Sequence, residues 1–61
     1  MAKQTYFYLY VYKFTKEGKA ELITGKLFFN KHIAIGIAEN YCNITGYHAQ
    51  IVTGNKIVFN R

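Results

Sequence analysis

The sequence contains no proline, no tryptophan, no serine and no aspartate, and a single cysteine. Each absence removes a class of answer. Without serine there is no serine nucleophile for acyl transfer. The lone Cys42 has no partner for an intrachain disulfide. With His32 and His48 the only histidines, the four Cys or His ligands of a structural zinc site cannot be assembled. Acids are scarce: Glu17, Glu21 and Glu39. The pattern sets Glu17 in a loop and Glu39 on a helix exterior, so a catalytic carboxylate pair is not expected. No glycine pattern resembles a phosphate-binding loop, and no cofactor, metal or small-molecule substrate is expected. No apolar run approaches the roughly 18 residues of a membrane span. After Lys3, tyrosines interrupt the stretch where a signal peptide would be continuously apolar. The expectation is a cytoplasmic protein without membrane contact.

What is present suits one domain over residues 1–61. Hydrophobic residues make up 51% of the 61 residues and aromatics 18%, enough for a core. A chain of this size buries only about 60% of its unfolded surface, and small folds commonly need a disulfide, a metal or a partner subunit. With the first two missing, tight packing or self-association remains. Eight Lys or Arg against three acids give a net charge of +5. Such a balance suits an acidic partner, nucleic acid or protein, and equally serves to keep an apolar domain in solution.

Residues 5–14 alternate with period two, which reads as a strand. Phe7, Leu9 and Val11 share one side; Tyr6, Tyr8, Tyr10 and Tyr12 share the other. Lys16-Glu17-Gly18 fits a three-residue hairpin loop with Gly18 left-handed. A second strand follows over about 19–29. Extending that register sets Lys13 opposite Glu21, Val11 opposite Ile23, Leu9 opposite Gly25 and Phe7 opposite Leu27. A four-residue loop, pairing Leu9 with Lys26 and Val11 with Thr24, is rejected because it mixes the apolar face. Asn30 is a good N-cap and Gly46 a good C-cap for a helix over roughly 31–44, in which Ile33, Ala34, Ile37, Ala38, Tyr41 and Ile44 recur at helical spacing. A final hairpin pairs 47–53 with 56–60. A loop of Thr53-Gly54-Asn55 places Ala49, Ile51, Ile57 and Phe59 on one face and is preferred to a two-residue Gly54-Asn55 loop, which would mix the faces differently.

The order is therefore ββαββ, an α+β fold. A right-handed crossover through the helix lays the third strand beside the first. The expected sheet is four-stranded, antiparallel, in the order 2-1-3-4, with the helix on one face. The expected core is Phe7, Leu9, Val11, Ile23, Leu27, Ile33, Ile37, Tyr41, Ile51, Ile57 and Phe59.

One helix cannot cover two faces, so the tyrosine side should be open. Around Tyr6, Tyr8, Tyr10 and Tyr12 this register gathers Leu22, Lys26, Phe28, Val52, Lys56 and Val58. An exposed apolar patch usually marks an interaction site, and tyrosine suits one. The leading reading is a non-enzymatic interaction protein whose face meets another protein or a second copy, as a homodimer. The alternative is a platform for single-stranded nucleic acid, with bases stacked on the tyrosines and Lys26 and Lys56 on phosphates. A third reading is that tyrosines merely stabilise a wetted strand. A remote one is an enzyme built on Cys42 and His48; the helical wheel puts Cys42 beside Ile35 and Glu39, off the main apolar stripe.

The run Tyr6-Phe7-Tyr8-Leu9-Tyr10-Val11-Tyr12-Lys13-Phe14, followed by Lys16-Glu17-Gly18-Lys19, resembles the first hairpin of many small uncharacterised bacterial, phage and mobile-element proteins. The resemblance covers about the first third of the chain. It implies a host-interaction or regulatory role and transfers no site residue. The ββαββ order departs from the βαββαβ order of the RNA-recognition fold.

Overall fold

A computed structural model describes residues 5–61. Its elements run β1 (Phe7–Phe14), β2 (Ala20–Phe28), α1 (Lys31–Thr45), β3 (His48–Thr53) and β4 (Lys56–Asn60). The strands form one antiparallel sheet in the order β2-β1-β3-β4, with α1 packed on one side. Element order, strand order and the single helix agree with the reading of the sequence.

Local chemistry explains the turns. In the first hairpin, Thr15 N–H donates to Lys19 O at 2.8 Å and Gly18 N–H donates to Thr15 O at 2.9 Å. Gly18 takes φ +82°, the left-handed position that closes a three-residue loop. Asn30 caps α1: its Oδ1 accepts from the N–H of His32 at 2.9 Å and of Ile33 at 3.1 Å. At the other end Gly46, at φ +75°, donates its N–H to Cys42 O at 2.9 Å.

The registers differ from expectation in both hairpins. Near the first loop Lys13 pairs with Glu21, and their side chains lie 3.5 Å apart. A β-bulge then interrupts the ladder between Val11 and Tyr12, leaving Ile23 as the extra residue. Beyond it Val11 pairs with Thr24, Leu9 with Lys26, Tyr8 with Leu27 and Phe7 with Phe28. The three-residue loop is right, yet the bulge delivers the pairings that argued for a longer one. One extra residue reverses which face each later residue of the strand occupies.

The second hairpin has a two-residue loop, since Thr53 pairs directly with Lys56. Gly54 has φ +58° and no other residue of that loop is left-handed, the pattern of a type II′ turn. A second bulge leaves Val58 extra, so that Val52 pairs with Ile57 but Ile51 with Phe59. The two-residue loop, in place of the expected three-residue one, is what moves Ile57 from the expected core to the other face, and the bulge then sets Phe59 back on the core side.

The core is small. Leu9, Val11, Ala49 and Ile51 from the central strands meet Ala34, Ala38 and Cys42 of the helix. The helix approaches on a stripe of small residues at i, i+4 and i+8, not on Ile33, which is 55% exposed. Ile37, Tyr41, Phe7 and Phe59 pack at the margin, as expected of core residues, while Ile23 and Leu27 are exposed. Cys42 belongs to this helix–sheet core, which corrects its placement off the main apolar stripe.

The candidate interaction face

The pairings fix what lies on the side away from the helix, because residues directly opposite in a ladder share a face. Three rows result. The first crosses all four strands as Leu27, Tyr8, Val52 and Ile57. The second is Gly25, Tyr10, Gln50 and Asn60. The third is Leu22, Tyr12 and His48, continued by Phe14 opposite Ala20. Leu27, Tyr8, Ile57 and Leu22 are each between 44% and 60% exposed, so none of the described residues covers the outer rows.

The rings along β1 support one another. Tyr8 stacks on Tyr10 with centroids 5.2 Å apart and planes 19° from parallel. Tyr12 stacks on His48 at 5.5 Å and meets Phe14 edge to face at 5.8 Å. Phe14 also touches His48 edge to face at 5.1 Å. At the opposite end Tyr6 meets Phe29 edge to face at 6.1 Å. Offset and edge-to-face pairs of this kind hold rings in place without burying them.

The described residues of these rows include no Lys, Arg, Asp or Glu. This is the main departure from the expected site. Tyr8, Tyr10, Tyr12, Leu22 and Val52 lie on the open side as anticipated, and Tyr6, just before β1, packs edge to face on Phe29. Lys26 and Phe28, opposite Leu9 and Phe7, belong to the helix side because of the bulge at Ile23. Phe28 packs against the core. Lys56, opposite Thr53, also falls on the helix side, and Val58, the bulged residue of β4, packs against the core. Sequence reasoning missed Leu27 and Ile57. The signal was present in each strand: Leu22-Ile23 in β2 and Ile57-Val58 in β4 are adjacent apolar pairs that strict alternation cannot place.

Comparison with protein-family models, with curated proteins and with solved structures finds no match to this chain. The face itself therefore carries the functional argument. Cys42 and His48, the remote catalytic pair, lie on opposite sides of the sheet: Cys42 beneath the helix, His48 against Tyr12. Among the described residues no three His, Cys, Asp or Glu side chains are grouped to hold a metal ion. No helix among them is long and apolar enough to cross a membrane.

Proposed function

We propose that this chain is a small non-enzymatic interaction protein, working in the cytoplasm, that binds another protein through the open face of its sheet. The observation that carries this reading is the composition of the three rows, apolar or aromatic at their margins, amide in the middle, and without a lysine or arginine. Depletion of charge at the centre, with aromatic residues enriched, is the signature of a protein–protein interface core. The resemblance of the first hairpin to bacterial and phage proteins agrees with a regulatory or host-interaction role.

Single-stranded nucleic acid is the second reading, favoured by the exposed Tyr8–Tyr10 pair and by the net charge of +5. Binding of this kind needs cations beside the stacking rings to follow the phosphates. The two lysines assigned that task lie on the helix side.

The test uses two probes. Apolar and aromatic peptides selected from a displayed library should bind the wild type, bind Leu27→Glu at least about tenfold more weakly, and bind Lys26→Gln unchanged. A mixed-sequence oligonucleotide titrated at low salt should show no dependence on the tyrosines. A loss of roughly 1–3 kcal/mol of oligonucleotide affinity in Tyr8→Ala and in Tyr10→Ala would transfer the face to nucleic acid.

A further inference from the structure

We infer that the occupant of the open face is a second copy of this chain, in a two-fold dimer whose axis runs across the strands through the row Tyr10, Gln50 and Asn60. The inference rests on the reading of the face as a protein interface and names its partner.

The first argument is symmetry. A face-to-face pair related by a two-fold axis needs a surface complementary to itself. About Tyr10 the aromatic residues of the open side are symmetric in position: Tyr8 and Tyr12 two residues away, Tyr6 and Phe14 four away. An axis across the strands at Tyr10 lays the Leu27–Tyr8–Val52–Ile57 row of one copy on the Leu22–Tyr12–His48 row of the other. The residues on the axis meet their own counterparts. Tyr hydroxyl and Gln and Asn amides each both donate and accept hydrogen bonds, so each can pair with itself. A lysine or a glutamate there could not.

The second argument is charge. Each copy carries +5, so two copies can meet only through a surface that brings no cations together. The open rows meet that condition. The direction of the axis follows from the same argument: an axis across the strands sends the first hairpin tips, with Lys16 and Lys19, to opposite ends of the pair. An axis along the strands would set them side by side.

The third argument is area. With about 3.4 Å per residue and about 4.8 Å between strands, Tyr6 to Phe14 over four strands spans about 27 by 19 Å. Because β3 and β4 are shorter, the usable face is about 450 Å² when flat, and two faces give about 900 Å² before side-chain relief is added. A specific interface needs about 1,000 Å² in total. The molecule is a thin slab, 47 × 21 × 15 Å, and the largest fully buried side chains among the described residues are Leu9, Ile51 and Val11. A second apolar layer would convert this half-covered sheet into the centre of a four-layer helix–sheet–sheet–helix assembly.

Sedimentation of the full chain from micromolar to millimolar concentration tests the proposal. The wild type should be a dimer, and Tyr10→Glu should raise the dissociation constant about 30-fold or more. Helical circular dichroism checks that the variant is folded; if it is not, Leu27→Glu on the exposed edge strand serves in its place. Lys26→Gln should leave the dimer unchanged. Under mild oxidation Gln50→Cys should crosslink to its counterpart, and Lys26→Cys should not. A dimer that survives both face variants, or one that crosslinks through Lys26→Cys alone, overturns the proposal in favour of edge pairing. A wild type that stays monomeric but binds the selected peptides overturns it while leaving the interaction face standing. A monomer whose tyrosines bind the oligonucleotide overturns both.

Discussion

Single residues set the ends of the elements here, and their contributions are separable. Asn30 satisfies two N–H groups that the first turn of α1 leaves without partners. Asn30→Ala should cost about 1 kcal/mol, read as a lower midpoint in chemical denaturation. Asn30 and Gly46 were legible in the sequence because a cap is a local event: the residue type needed is set by two or three neighbours. Cys42 was not legible in this way. Its position in the core depends on which side of the helix turns to the sheet. The apolar stripe read from the sequence includes Ala34 and Ala38 but can be centred on either of two rows, one led by Ile33, Ile37 and Tyr41 and the other by Ala34, Ala38 and Cys42. Hydrophobicity alone favours the first. Steric fit selects the second, since small residues let the helix settle onto Leu9, Val11, Ala49 and Ile51 while the larger Ile37 and Tyr41 close its flank.

At the scale of the element, that small-residue stripe and Gly36 should answer oppositely to added bulk. A Cβ at Gly36 would meet nothing within 4 Å. Gly36→Ala should therefore stabilise the protein by about 0.5–1 kcal/mol, the ordinary helix preference. Ala38→Leu pushes a larger side chain into the closest approach of helix and sheet and should destabilise by about 1–3 kcal/mol. Thermal or denaturant unfolding of the two variants measures both effects, and equal responses would show that the helix sits on a different face. The two edge strands show where sequence reading of elements stops. β2 and β4 were found, with nearly correct ends, from β-formers between turn residues. Their phases were not, because a bulge adds one residue without adding a turn signal. Ile23 moves the rest of β2 by one position, which carried Lys26 and Phe28 to the helix side and Leu27 to the open one; in β4 the two-residue loop carried Lys56 to the helix side and Ile57 to the open one, and the bulge at Val58 then returned Phe59 to the helix side. β1, whose alternation is unbroken, was read correctly over its whole length.

For the whole molecule, the consequence of those two steps is a separation of character between the sides of one sheet. The rows away from the helix hold rings, aliphatic groups and amides, while the helix side holds the core together with Lys13, Glu21, Lys26 and Lys56 around it. The open tyrosine face was legible because one helix cannot cover two sides. The absence of charge from it was not, since it depends on the bulge at Ile23 together with the two-residue loop before Lys56.

That separation has a kinetic consequence for the proposed interaction. An uncharged landing surface on a body of charge +5 offers a partner no electrostatic guidance at the point of contact, while the body as a whole still acts over a distance of about 10 Å at moderate ionic strength. In the proposed dimer two copies would come together against a weak mutual repulsion, and added salt should raise their association rate. An acidic partner or a nucleic acid is drawn in by the same field, so that salt should slow its arrival. Stopped-flow association at two ionic strengths reads that sign directly, and a rate between copies that falls with salt would contradict the arrangement. The chain's residence on its partner is then governed by water expelled from Tyr8, Leu27, Val52 and Ile57, a quantity to which dissolved ions are nearly indifferent at ordinary concentrations.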